Sequence, residues 1–284
     1  MSLGQKLLNP LNIAHRGGAG LWPENTLFAF INTVEAGFDG AELDVQLTRD
    51  GKLVVFHDFR PATRNCRDER GRTLSGQQRP ICEWDYADLS ALDIGQVRGG
   101  PVAPDRERIP LLAQVIDAVH SCNPKFRLLV ELKTAFTSRR ESASPEAVAQ
   151  ATLAVLSETQ FSHNAILVGF DWPALLHAKR LSPGMECWFT SQPARDEKKT
   201  PDRSWTGGYD PRDYGGHARA IHAAGGDGWF APENDATEAH LREVRALGLK
   251  FGVWTVNTAD KMQALTRLGM DAICTDRPDI LAEL

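Results

Sequence analysis

Cysteine is scarce in these 284 residues: Cys66, Cys82, Cys122, Cys187 and Cys274 are odd in number and widely scattered. That excludes a disulfide framework, and with no CxxC pair and no zinc-ligand spacing it excludes a structural zinc site too. The expectation is five buried thiols in a reducing compartment. Long apolar runs are missing as well, since none approaches the ~20 residues of a membrane span. Met1-Ser2-Leu3-Gly4-Gln5-Lys6 lacks the apolar core of a secretory signal, which makes the expected location cytoplasmic. Nor does one sign of charge dominate. With 32 Lys and Arg against 37 Asp and Glu, a net -5, bulk electrostatics offers nothing to nucleic acid and no stable hold on an anionic membrane. An anionic substrate must therefore be held by a few local charges.

What is present is an ordinary globular composition, 42% hydrophobic and 24% charged, arranged as short apolar runs alternating with amphipathic helical patterns. Strands are expected at 12–15, 40–46, 127–132, 165–170, 186–190, 227–231, 250–255 and 272–275. Helices are expected after them at 24–36, 111–122, 144–159, 172–181, 217–224, 237–247, 258–268 and 277–284. Thr237 is placed to cap the sixth helix and Gly248 to close it, while Gly37, Gly225 and Gly269 close three others. Eight such pairs predict a closed (β/α)8 TIM barrel, one domain over 1–284. Two segments do not fit the pattern. Residues 59–109, rich in Arg, Asp, Gly and Pro, read as an insertion after the second strand, and 192–216 reads as a loop with little structure.

Arg49-Asp50-Gly51-Lys52 between two apolar arms reads as a hairpin turn. Pairing Thr48 with Leu53 would set Asp44 opposite His57, with Glu42 on the same face by the period of two. Two carboxylates and an imidazole would converge there. Glu131 and Lys133 share a face of the next barrel strand. Carboxylates gathered without a cysteine ligand favour a hard cation, Mg2+ or Ca2+, over zinc. His15-Arg16-Gly17-Gly18 ends the first strand, on the catalytic rim of such a barrel, with Trp22 beside it as a possible pocket wall. Glu24-Asn25-Thr26 reads as a helix cap with an acidic first turn.

Taken in order, His15-Arg16-Gly17, Glu24-Asn25-Thr26, Glu42-x-Asp44, His57-Asp58, Ile109-Pro110-Leu111, Glu131-x-Lys133, Trp254-Thr255-Val256-Asn257 and Thr275-Asp276-Arg277-Pro278 resemble the motifs of glycerophosphodiester phosphodiesterases. The resemblance spans nearly the whole chain. It implies a metal-dependent phosphodiesterase on a TIM barrel, with an insertion after the His-Asp pair and a small glycerophosphodiester as substrate. His15 and His57 would be the acid/base pair, Glu42, Asp44 and Glu131 the ligands of one divalent cation, and Arg16 and Lys133 the phosphate contacts. Trp254 would line the substrate pocket. Gly169-Phe170 stands where many relatives have Ser-Phe, which removes an expected pocket hydroxyl.

The chemistry is consistent with that set. A phosphodiester monoanion repels nucleophiles, so its oxygens must be neutralised, an attacking oxygen activated and the leaving oxygen protonated. Two histidines can share the last two tasks near neutral pH. The attacker is either water or the glycerol 2-hydroxyl, the latter passing through a cyclic phosphate. Three competing readings remain: a phospholipase D-like lyase acting on lysophospholipids, a glycoside hydrolase using paired acids, and a non-catalytic phosphate-binding module.

Overall fold

The computed structural model describes residues 9–62, 64–96, 99–193 and 203–284. Its strands are β1 (Leu11–Ala14), β2 (Gly40–Leu47), β3 (Leu53–Val55), β4 (Arg127–Leu132), β5 (Ala165–Gly169), β6 (Cys187–Thr190), β7 (Gly228–Pro232), β8 (Lys250–Trp254) and β9 (Ala272–Thr275). All but β3 are parallel, in the order β1-β9-β8-β7-β6-β5-β4-β2, and Ile13↔Gly40 and Ala14↔Ala41 close the ring. The eight-stranded barrel is thus as expected, each strand within about two residues of its predicted bounds.

The strand period of two divides the apolar residues between two cores. Ala41, Leu43 and Val45 of β2 pack outward beneath the helices with Leu128, Val130 and Leu132 of β4. Ile13, Leu129, Ile166, Val168, Trp188, Phe230 and Cys274 fill the barrel. Each large side chain so buried contributes roughly 1.5–3 kcal/mol. Trp188 closes the lower end, and it fits only because β7 and β8 carry glycine beside it. A methyl at Gly228 or Gly252 would stand 2.6 or 2.7 Å from the indole, so Gly252→Ala should force the ring out of place.

Helix ends follow the expected chemistry. Thr237 accepts from the His240 amide, and Gly37, Gly225, Gly248 and Gly269 all adopt positive φ. The first helix, expected from residue 24, instead covers Leu27–Glu35, because Thr26 is the cap and Asn25 before it is left-handed, φ 58°. Within 192–216, read as a loop with little structure of its own, Ser204–Thr206 and Pro211–Tyr214 form short helical turns, and Trp205 is buried edge-on against Trp172. The rest of that segment lies outside the described residues in part.

The hairpin is antiparallel as predicted, but its register is one residue off. Gln46 pairs with Val54 and Leu47 with Leu53, so Asp44 faces Phe56, whose amide donates to the Asp44 carbonyl. The physical reason is the loop. Thr48 pairs with Lys52 across only Arg49-Asp50-Gly51, with Gly51 left-handed at φ 73°, the three-residue turn with a glycine bulge. β3 and the segment after it enclose a separate cluster of Val54, Phe56, Cys66, Ile81, Leu89 and Ile109. The cysteine expectation also needs correction: Cys66, Cys187 and Cys274 are buried, Cys82 is half-buried and Cys122 exposed, all as free thiols. No helix among the described residues is long and apolar enough to cross a membrane.

Candidate active site

β1 ends early, at the level of Ala41, and leaves the β2 edge beyond it open. β3 covers the far part of that edge, and His15–Gly17 covers the gap as a single helical turn. Arg16, Gly17 and Gly18 are all left-handed there, and a side chain on Gly17 would meet Ala29 at 3.0 Å. Positive φ at a non-glycine costs on the order of 1–3 kcal/mol. Here it aims the Arg16 amide at Glu42 Oε2, 3.0 Å away.

Glu42 and Asp44 point inward from β2, 2% and 1% exposed. Parallel register sets Asp44 beside Glu131 of β4, and one oxygen from each of Glu42, Asp44 and Glu131 lies within 4.8 Å of the others. Lys133 Nζ is 2.9 Å from Glu131 and 3.6 Å from Asp44, while Arg16 stands 3.6 Å from Asp44 through Nε and 3.0 Å from Glu24 through Nη1. Asn25, expected only to cap a helix, donates to Asp44 Oδ2 at 2.9 Å.

These charges are not balanced. Burial pushes the Glu42 carboxyl well above the usual range, with Asp44 and Glu131 adding to it and Arg16 offsetting only part. Burial acts the same way on Asp44, but His57, Lys133, Arg16 and the Asn25 hydrogen bond outweigh it and hold that carboxyl below the ordinary range. Lys133 is desolvated too, yet Glu131 and Asp44 raise its pKa. Three converging carboxylates, one resisting ionisation, form a donor set that fits a hard, oxygen-ligated divalent cation.

The two histidines meet this cluster from opposite sides of the chain's construction. His15 Nδ1 is 2.6 Å from Asp276 Oδ1, and Asp276 Oδ2 accepts from Asn257 at 2.6 Å. His57 Nδ1 is 2.8 Å from Asp58 Oδ1, while Asp58 Oδ2 accepts from Asn65 at 2.9 Å and both oxygens accept from Arg64. Burial works against ionised Asp276 and Asp58, but the bond from each histidine, with Arg64 helping at Asp58, leaves both carboxyls lowered. With each Nδ1 engaged, Nε2 is the nitrogen left for chemistry; that of His15 lies 3.9 Å from Glu42.

His15, Arg16, Glu42, His57, Glu131, Lys133 and Trp254 line one cavity of about 120 Å³, with Phe170, Thr190, Phe230 and Thr255. Asp44 is buried directly beneath. A larger cavity, about 910 Å³, opens at the other end of the barrel, lined by Arg127, Trp188 and Arg245 among others, far from this chemistry. All eight residues singled out in the sequence are therefore brought together, and Phe170 meets Trp254 edge-on at 5.2 Å. Two details differ. Trp22 packs over Gly18 rather than lining the cavity, and position 169 points outward at Leu132, so the absent serine is not a loss to the pocket. The supporting roles of Asp276, Asn257 and Asn65 were not read from the sequence, and Asn25 was read only as a helix cap. Asp58 had one available signal, its place directly after His57, and Asp276 its place at the end of a barrel strand.

The chain is similar to known proteins over nearly its whole length. The model of the glycerophosphoryl diester phosphodiesterase family matches residues 15–280. A glycerophosphodiester phosphodiesterase of Caldanaerobacter subterraneus subsp. tengcongensis is 27% identical over 277 residues, 98% of either chain. A structure from Silicibacter pomeroyi DSS-3, described as a candidate glycerophosphoryl diester phosphodiesterase, is 29% identical with a TM-score of 0.84, covering 99% of this chain and 95% of its own. The fold is shared as well with an Oleispira antarctica phosphodiesterase in complex with sn-glycerol-3-phosphate, at 22% identity and a TM-score of 0.72 over 97% of this chain and 96% of that one.

Proposed function

Because the chain belongs to the glycerophosphoryl diester phosphodiesterase family, and so is a phosphoric diester hydrolase, we propose that it hydrolyses glycerophosphodiesters to glycerol 3-phosphate and an alcohol by two-histidine, metal-dependent catalysis. The observation that carries this reading is the single cavity in which two carboxylate-anchored imidazoles face a cluster of three carboxylates and two fixed cations. Glu42, Asp44 and Glu131 would hold one Mg2+ or Ca2+, which when bound supplies positive charge to the phosphate oxygens and orients the diester. Arg16 and Lys133 supply the protein's own positive charge to the same oxygens, from side chains pinned by Glu24, Asp44 and Glu131.

The proton transfers fall to the histidines. One takes the proton of the attacking oxygen through Nε2, and the other delivers a proton to the departing alkoxide. Asp276 and Asp58 hold each ring with Nδ1 turned away from the substrate, so neither histidine has to search for its orientation as the bond breaks. Trp254, braced by Phe170 and by its indole bond to the Phe230 carbonyl, gives the glycerol or alcohol an apolar wall. The free thiols support a reducing, cytoplasmic setting, and 1–284 is read as one barrel domain with 59–109 as its insertion.

The test is a panel of glycerophosphodiesters and a lysophospholipid, turned over by metal-stripped protein with Mg2+ or Ca2+ added back. Glycerol 3-phosphate formed only with added cation is the expected result. Full activity in chelator would overturn the metal dependence, and a cyclic phosphate accumulating as the end product would favour the lyase reading.

A further inference from the structure

Past Val55 the main chain leaves the β2–β3 ladder, with only the Phe56 amide still bonded to β2, yet His57 is the next residue and must be held to a fraction of an ångström. Gln46 supplies the hold. Facing inward from β2 in line with Glu42 and Asp44, and 2% exposed, it donates one amide hydrogen to the Phe56 carbonyl at 2.7 Å and the other to the Asp58 carbonyl at 2.8 Å. Both partners are acceptors, so the amide nitrogen must lie on that side. The main chain is thereby gripped immediately before and after His57.

The ring is gripped separately. Asn65, 4% exposed, accepts from the Ala62 amide at 3.1 Å through Oδ1 and donates through Nδ2 to Asp58 Oδ2 at 2.9 Å, leaving Asp58 Oδ1 on His57 Nδ1. Asn65 thus uses both ends of its amide to transmit the local fold of the insertion to the Asp58 carboxylate. We propose that Gln46 and Asn65 are positioning residues for His57, Gln46 through the backbone on either side and Asn65 through the carboxylate that orients the ring, so that the segment after the hairpin completes the active site. This rests on the reading of His57 as an acid/base residue.

The test is a double-mutant cycle in the whole protein with cation present. Gln46→Met keeps the bulk and removes both donors. Asn65→Asp keeps the acceptor for Ala62 and sets a second carboxylate against Asp58. Each should lower kcat roughly tenfold to a hundredfold, the cost of losing a group that orients a catalytic one, while KM and calorimetric cation affinity move less than about twofold. Made in a His57→Ala background and assayed on an activated aryl diester, either substitution should add less than about twofold, because nothing remains to position. Equal losses in both backgrounds, or near wild-type kcat in folded single variants, would overturn the proposal while leaving the function standing. Near wild-type turnover by His57→Ala itself would overturn the acid/base reading and this inference with it. Should Gln46→Met not fold, as judged by near-UV circular dichroism, the Asn65→Asp cycle decides alone.

Discussion

His15 and His57 make the same contact, Nδ1 to a carboxylate that also accepts from an asparagine, but the two arms are built from different parts of the molecule. Asp276 is 261 residues from His15 in the chain, and Asn257 follows a third strand. That arm exists only when β1, β8 and β9 are side by side. Asp58 adjoins His57, and Asn65 lies seven residues from Asp58, so the second arm is local and hangs on a hairpin extension. A barrel rim fixes a side chain through closure of the whole sheet. An excursion from it has no ladder and must be tied down by side chains such as Gln46. The difference teaches that the same chemistry can be held by topology or by local hydrogen bonds, and that the two should fail differently.

The largest effect should come from the feature both arms face. Glu42→Gln removes one charge from the buried cluster with little change of shape, and it should abolish turnover and weaken cation binding together, as measured by assay and calorimetry. Stability of the metal-free protein should change in the other direction. Glu42 has its folded pKa raised, so its contribution is fully present below the unfolded value of ~4.3 and lost as pH rises through the folded value. The stripped wild type should therefore weaken as pH climbs, and Glu42→Gln should weaken less, which urea melts at pH 5 and pH 8 will compare. A parallel decline in both would mean that the carboxylates are not in conflict.

Next come the histidines themselves. His15→Ala and His57→Ala should each lose at least ~100-fold on an alkyl diester, the lower end of an acid/base contribution. An aryl diester releasing nitrophenol needs little protonation of its leaving group, so the variant of the general acid should recover on it and the variant of the base should not. Equal losses on both substrates would remove the division of labour between the arms. Near wild-type turnover of an alkyl diester by either variant would remove the mechanism.

How these arms stood in the sequence follows from the same contrast. The barrel was legible because periodicity and glycine ends are local signals, and β4 and β9 fall on the predicted residues. The two histidines and three carboxylates proposed for catalysis were legible because they stand in recognisable spacings on the strands and on the turns that follow them. The hairpin register was missed by one residue, since a four-residue turn and a three-residue turn with left-handed Gly51 read alike until the backbone is seen. His57 nevertheless reaches Asp44's side of the site because the chain leaves the strand at Phe56 and no longer obeys the period of two. Asp276 as partner of His15 was not legible at all as a pairing, because only closure of the barrel makes neighbours of residues so far apart.

The carboxylates behind the rings should matter less than the rings. Asp276→Asn and Asp58→Asn keep a polar partner of the same size but lose its charge, and each should cost roughly tenfold to a hundredfold in kcat. Partial unfolding should separate them. In mild urea, local opening of the hairpin extension would expose the Asp58 arm at a lower free energy than barrel opening exposes Asp276, so amide exchange at 57–66 should run ahead of exchange in β1 and β9. Uniform exchange would mean that the two arms are not held by different means.

Arg64 should give the smallest effect, and it tests how much of the local arm is surface electrostatics. Its side chain is 65% exposed and pairs with Asp58 from the solvent side, a type of contact typically contributing about 0–1 kcal/mol and weakened by salt. Asn65, buried beneath it, keeps its bond to Asp58 when Arg64 is removed. Arg64→Ala should therefore lose less than about fivefold in kcat, against the larger loss expected for Asn65→Asp. The pH dependence carries a sign that can be checked. Asp58 has a lowered folded pKa, to which Arg64 contributes after burial and His57 are counted, so its stabilisation is present above the unfolded value of ~3.9 and lost as pH falls through the folded value. Removing Arg64 brings that folded value back toward the ordinary one. Any stability gap between wild type and Arg64→Ala should then be seen in urea melts at pH 7, shrink in 0.5 M salt, and narrow only as pH falls through the lowered folded value, well below the ordinary carboxyl range. A gap that widens at low pH, or a kcat loss matching that of Asn65→Asp, would mean that the exposed cation and not the buried amide holds the His57 arm.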